Sequence, residues 1–397
     1  MSARRSIIRV VGIGVLALMA SACRREPPNP TRPRRPRPTT TTLPPTTTGA
    51  KLGSVTIGVV VPHGGLRLSE ANGVRNSVDL AVRHASEDGI LRRWNVTVEE
   101  LTEGAKPDDP QRLARAVQGD RRIIGVIGPL GSDFTLRFLA ALADEPLAVL
   151  SPAATDTALT AMTTASPTAP ADVRFHNFLR LAPARDVVAA RAVGALAPGS
   201  KSVVIVHDGS TESRALAGEL ESAVAAAGLT LATPILMDAD TNGVSAAVQL
   251  VLASGADAVI AANHPVDALA LSNGLLVTAA SPVRVVSIGR VDAAPCSVVS
   301  VRPTGDVCVE AAAFDDGEMA HAFAEDYGAE QFAEPPGPYG PAAYDAARLL
   351  LDAIAAVDPA QDPASSRQRV IDSVRHADHQ GVSGLLVFAR SGDRIGP

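Results

Sequence analysis

The sequence predicts an α/β fold in which residues 51–397 form two doubly wound parallel-sheet lobes joined by a hinge. Three observations lead there. Short apolar, β-branched runs alternate with helical patterns along the chain. The runs are continuously apolar, as strands covered on both faces are. The alternation also pauses at 163–186 and again at 290–308. With no short tandem repeat present, similar βαβ lobes on either side of a crossing fit best.

Strands are expected at 55–61, 96–101, 123–128, 147–150, 202–207, 257–263 and 283–289, where Val and Ile cluster between turn residues. Helical periodicity marks 70–89, 109–120, 212–228 and 244–255. After the second pause come helical stretches at 317–330, 337–357 and 366–377, then a terminal segment at 381–395. His376 and His379 are read as sharing one helix face, as a solvated pair and not as a metal site.

Apolar residues make up 46% of the 397-residue chain, enough for a core along most of its length. Aromatics are only 3%, so that core must be built from Ala, Val, Leu and Ile.

Residues 1–22 combine a basic start, "MSARRSIIR", with an apolar run too short to span a membrane comfortably. Small residues in "ASAC" then lead to Cys23, a pattern that resembles a bacterial lipoprotein signal. It implies that Cys23 becomes the lipidated first residue, although Ala20 stands where such signals usually carry Leu; an ordinary secretory signal and an uncleaved anchor are the other readings. Residues 23–50 are rich in Pro, Thr and Arg and nearly lack apolar side chains, so they read as an extended tether. Its arginines would favour an anionic lipid surface.

Residues 1–50 hold nine Arg and one Glu, leaving 27 basic and 41 acidic residues, a net −14, for 51–397. That balance argues against nucleic-acid binding, which needs clustered Lys and Arg. Cys296 and Cys308 read as a disulfide closing a short loop in an exported domain; a metal site would want more ligands nearby.

In parallel α/β lobes, ligands bind beyond the carboxyl ends of the strands. Two such segments match. "IGPLGSDFT" places Ser132 at a helix start, with glycines that let a backbone come close. "LSPAATDT" places Ala153 and Thr155 in the same way. Hydroxyls and free N–H groups at two helix N-termini suit a carboxylate. Each segment taken alone reads equally as helix capping. No P-loop lysine and no G-x-S-x-G elbow is present, and no nucleophile–base pair is visible, so no cofactor and no catalytic residue is expected.

The ordered set "VTIGVVVPHGG", "DDPQRLARAVQ", "IIGVIGPLGS", "LAVLSPAATDTALT", "FHNFLRL", "SVVIVHDGS", "VQLVLASGADAVIAA", "PPGPYGPAAYDAARLLLDAI" and "GVSGLLVFARSGDR" resembles the type 1 periplasmic binding proteins. The resemblance is to their leucine/isoleucine/valine-binding branch, the receptors of ABC importers, and it covers nearly all of 53–394. It implies a first lobe of 51–183 and 310–375, a second of 184–309 and 376–397, and a ligand cleft between them. It further implies a ligand held by Ser132, Ala153 and Thr155. Across the cleft, Glu212 stands where the family usually has Tyr, His264 lies near an often aromatic position, and Asp292 is nearest to the family's acidic residue. Glu212 could hold an ammonium group or be merely solvated, and Asp133 beside Ser132 complicates carboxylate binding. The implied partners are an amino acid or related small carboxylate, an ABC permease and a membrane reached through the lipid anchor. The implied location is extracytoplasmic, at the bacterial cell surface or periplasm. A sensing module without transport and a hydrolase-like enzyme are the alternatives.

Overall fold

The computed structural model describes residues 53–395 except 64–67, 107, 143–144, 164–171, 239, 280–282, 290–295, 297–302, 304 and 313–314. The signal, Cys23, the tether and Asp292 therefore lie outside the described residues.

The first sheet begins with the valine-rich β1 (Gly53–Pro62). It continues with β2 (Trp94–Glu103), β3 (Ile123–Ile127) and β4 (Ala148–Ser151). A short antiparallel pair follows, β5 (Met162–Thr163) with β6 (Asp172–Val173), and then β7 (Phe178–Arg180). The strand order is β2-β1-β3-β4-β7, and every pairing is parallel.

Both faces of this sheet are covered. Val55, Ile57, Val59 and Val61 pack on α1 (Leu68–Glu87) and on the Ala- and Leu-rich α9 (Gly340–Ala356). Val60, Val126 and Val149 pack the other way, on α2 (Asp109–Gly119) and α3 (Ser132–Leu142). Each fully buried Val or Leu stabilises the fold by roughly 1.5–3 kcal/mol relative to exposure. A small aromatic cluster forms where α8 (Glu318–Ala329) meets this lobe: Phe323 and Tyr327 pack with Leu80 and Val382.

The helix α10 (Pro363–Arg375) is pinned by a buried cation. Arg367, 1% exposed, donates to the carbonyls of Ile123 at 2.9 Å, Asp120 at 2.8 Å and Val117 at 3.3 Å, and pairs with Glu145 at 2.5 Å.

The second sheet repeats the plan. It contains β8 (Ser202–His207), β9 (Thr230–Leu231), β10 (Ile235–Leu236), β11 (Ala258–Ala261), β12 (Arg284–Gly289) and β13 (Val307–Glu310). The order is β10-β8-β11-β12-β13, with β9 also paired to β8, and again all pairings are parallel. α4 (Arg185–Gly194) and α5 (Thr211–Ala226) cover one face; α6 (Thr241–Ser254) and α7 (Pro265–Thr278) cover the other. Cys296 and Cys308 form the expected disulfide, with Cα atoms 5.8 Å apart. It ties the loop after β12 to the edge strand β13, where Cys308 lies beside Ser287.

The end of the chain departs from expectation. The resemblance implies that residues 376–397 belong to the second lobe, yet the described part packs on the first. Helix α10 stops at Arg375, and an antiparallel hairpin follows, β14 (Asp378–Gly381) and β15 (Gly384–Val387). His379 therefore sits on a strand and shares no helix face with His376. Leu386 and Phe388 join the first lobe's core. The hairpin turn is clasped by Asp345 of α9, which accepts from the Val382 and Ser383 amides at 2.9 and 2.8 Å and from the Ser383 hydroxyl at 2.5 Å. Asp345 is 2% exposed, and burial pushes its pKa above the usual carboxylate range. Beyond the hairpin, Asp393 pairs with the buried Arg180, and the Gly392 carbonyl accepts from the Arg180 amide at 2.9 Å.

Two stability outcomes follow. Arg367→Ala removes the shared donor of three carbonyls and strands Glu145, so urea unfolding should show a loss of about 3 kcal/mol. Replacing both Cys296 and Cys308 with Ser releases a short loop and should cost about 2–3 kcal/mol in the same measurement.

Candidate functional site

Both sheets share the order 2-1-3-4-5 when the strands of each sheet are numbered in chain order and β9 and β10, which pair with successive parts of β8, count as one. In such sheets ligands bind outside the carboxyl ends, where strand order reverses. In the first lobe that point lies between β1 and β3. In the second it lies between β8 and β11.

The first-lobe loop leaves β3 at Gly128, whose φ is +91°. A Cβ there would fall 2.3 Å from the Val60 carbonyl oxygen, so only glycine lets the loop cross β1 this closely. Ser132 then opens α3. The adjacent loop leaves β4 at Ser151, whose hydroxyl donates to the Pro129 carbonyl at 2.7 Å and accepts from the Ala154 amide at 3.0 Å. Ser132 Oγ accepts from the amides of Thr155 at 3.0 Å and Asp156 at 3.2 Å. Two serine hydroxyls thus zip the loops into one wall.

Ser132 and Thr155, two of the residues singled out from the sequence, are brought together directly. Ala153 is fully buried and contributes backbone only. Thr155 is 9% exposed, and no protein group among the described residues engages its hydroxyl. Ser132 accepts two bonds and donates none among them. A free O–H on each residue suits an anionic or carbonyl oxygen.

One expectation fails here. The segment after Ser151 does not open an α-helix; Asp156 caps a single 3₁₀ turn at Thr157–Leu159 through the Ala158 amide at 2.8 Å. A three-residue turn offers little aligned dipole. Only α3 presents a helix terminus on this wall, and hydroxyls take the place of the second. Asp133 is less of an obstacle than its position suggests, because its exposed carboxylate pairs with Arg137 one turn along α3.

The second wall is joined to the first by a residue that sequence reasoning missed. Arg185, at the start of α4, is 5% exposed. Its Nη2 donates to Glu212 Oε1 at 2.7 Å and to Asp156 Oδ2 at 3.2 Å. Its backbone amide donates to the Thr155 carbonyl at 2.7 Å. Burial works against the charge of Arg185, but Glu212 and then Asp156 outweigh it and raise the pKa. A single guanidinium therefore spans both carboxyl ends. Its only sequence signal is a basic residue directly after the crossing. Thr157 adds a weaker link to Glu219 of α5 at 3.4 Å.

Glu212 is thus already paired. His264 lies at the end of β11 and caps α7, its Nδ1 accepting from the Val266 amide at 3.2 Å. It is not part of the chain of contacts from Ser132 to Glu212. Beside it Asn263 is fully buried, and its Oδ1 has no hydrogen-bond partner among the described residues. Nearby Asp267 has its pKa raised by burial, against an opposing pull from His264. Among the described residues no group of three or more His, Cys, Asp or Glu is placed to hold a metal ion, and no helix is long and apolar enough to cross a membrane.

The sequence profile of the family described as "Periplasmic binding protein" matches residues 54–395. The chain belongs to the periplasmic binding protein family. The family places the protein outside the cytoplasm. No curated protein sequence matches it. Among solved structures it is similar to an ABC transporter substrate-binding protein from Desulfitobacterium hafniense in complex with leucine. That match has a TM-score of 0.68 and 20% identity, covering 86% of this chain and 95% of that one. A leucine-binding protein from Thermotoga maritima gives a TM-score of 0.63 at 17% identity, covering 86% and 93%. A solute-binding protein from R. palustris in complex with benzoate gives 0.67 at 15%, covering 86% and 91%. These likenesses carry the two-lobed fold of the family.

Arg185→Met should strand two carboxylates at the lobe junction and lower unfolding stability by about 3 kcal/mol. Glu212→Gln, which keeps a hydrogen-bond acceptor, should cost only about 1 kcal/mol in the same denaturation experiment.

Proposed function

We propose that this periplasmic binding protein is the solute receptor of an ABC importer, anchored by lipid on Cys23, and that it takes an amino acid or related small carboxylate between its lobes. The observation that carries the reading is the wall made by Ser132 and Thr155, with two free hydroxyls above an ordered pair of loops. Leucine and benzoate in the similar structures support a carboxylate of modest size. In this reading Ser132 and Thr155 donate to the carboxylate, and Ala153 shapes the floor. Glu212 and His264 face the ligand from the second lobe, with Asp292 completing that side. Hinge closure about the crossings brings the two walls together, and the ligand selects the closed form because both walls touch it only there. The closed form then docks on a permease. Nothing in this cycle needs covalent chemistry.

Thermal denaturation of the purified protein against amino acids and small aliphatic and aromatic carboxylates tests the ligand class. A true ligand at a hundred times its Kd should stabilise by about 2.7 kcal/mol. The Ser132→Ala, Thr155→Ala double variant should abolish that gain while still unfolding cooperatively. Absence of any shift across the set, or a shift that survives the double variant, would overturn the proposal. Cys23→Ser should move the protein from the membrane fraction to the soluble one.

A further inference from the structure

A second cavity, of about 610 Å³, lies where α8, the proline-rich loop before α9 and the turn of the β14–β15 hairpin converge with the chain leaving β13. It shares no lining residue with the Ser132–Thr155 wall. Its volume falls within the range of small-molecule sites, roughly 300–1,000 Å³. The body of the cavity is apolar: Ala312, Ala320, Phe323, Pro336 and Val382 supply much of its surface.

Fixed backbone keeps the cavity from collapsing. Proline rings lock φ in the loop Pro335–Pro338. The loop is also seated on its neighbours. Tyr327 Oη donates to the Glu334 carbonyl at 2.8 Å, and Ser69 Oγ donates to Glu334 Oε2 at 3.0 Å. A Cβ on Gly73 of α1 would fall 2.6 Å from the carbonyl oxygens of Pro335 and Pro336, so that glycine is what lets the loop settle so low.

The polar part of the lining has one sign. Glu310, Asp315 and Asp316 contribute carboxylates and His321 an imidazole, and no Lys or Arg is among its described lining residues. Glu310 is steadied by the Cys296 amide at 2.6 Å. Asp315 is steadied by the Gly317 amide at 3.0 Å and by Gln380 Nε2 at 2.6 Å. Asp316 is exposed and takes no hydrogen bond among the described residues. Two guanidiniums flank the lining: Arg191 donates to the Ala312 carbonyl at 3.4 Å, and Arg394 interacts with Asp315 but directs its donors to the Ser383 and Leu385 carbonyls at 2.8 and 2.6 Å. An apolar chamber with an acidic mouth suits a ligand that is apolar along its body and cationic at one end.

We propose that this cavity binds an organic amine, with its apolar body against Phe323 and the prolines and its ammonium group at the carboxylates of the mouth. The site is independent of the carboxylate receptor reading, both in its residues and in the charge it selects.

The probe is phenethylamine, titrated calorimetrically into the purified protein at neutral pH. Saturable one-site binding is expected, with ethylbenzene and 3-phenylpropionate binding at least tenfold more weakly. Ala320→Trp fills the chamber and should abolish the binding. Asp316→Lys, on an exposed side chain that the fold does not use, should weaken it roughly fivefold. The Ser132→Ala, Thr155→Ala double variant should leave it unchanged, even if that variant binds no carboxylate. Failure of phenethylamine to saturate would overturn the proposal. So would equal binding of the anion, binding that persists in both Ala320→Trp and Asp316→Lys, or loss of binding in the double variant.

Discussion

Covering both faces of each sheet is the constraint from which the rest of this molecule follows. A strand such as β1, with valines and isoleucines directed to opposite layers of helices, has no free face on which to carry polar groups. Polar chemistry is confined to the strand ends. The shared 2-1-3-4-5 order then selects which ends are open, because helices diverge to opposite layers where the order reverses. Ser132 and the Ser151–Asp156 loop emerge at that point in one lobe. Glu212 and His264 emerge at its counterpart in the other.

Hydroxyl groups and one guanidinium organise those open ends. Ser132 and Ser151 satisfy the amides that a loop of this shape would otherwise leave bare, so the first wall is ordered before any ligand arrives. Arg185 does the equivalent for charge. Asp156 and Glu212 belong to different lobes and would repel each other; the shared cation turns that repulsion into attraction at the cost of burying a guanidinium. The paired Glu212 is consequently less able to grip an ammonium group than a free carboxylate would be. The hydroxyl-bearing side of the first lobe is left as the more receptive surface for an anion.

Much of this was legible in the sequence wherever the information is local. The β-branched runs announced β1, β3, β8 and β12, and the small polar residues after β3 and β4 announced the wall. Locality also produced the error at "SPAATDT": its capping residues are genuine, but they cap a 3₁₀ turn and not a helix. The strands β7 and β13, three and four residues long, fall in or at the edge of the two stretches where the alternation pauses, so no neighbouring pattern marks them. Arg185 carried no signal of its own, because its importance depends on two carboxylates supplied by separate loops. The placement of 376–397 failed for the same reason. The contact between Arg180 and Asp393 joins residues 213 positions apart, and no pattern along the chain reports it.

That contact bears on the order in which the protein can be assembled. The first lobe starts at β1, but its core also needs α9 and α10, and its buried Arg180 receives its carboxylate from Asp393. The second lobe runs without interruption from α4 to β13. As the chain emerges, the middle third can reach a finished state while the opening third still waits for the last residues to appear. Synthesis and folding thus run out of step: the segment made first is completed last.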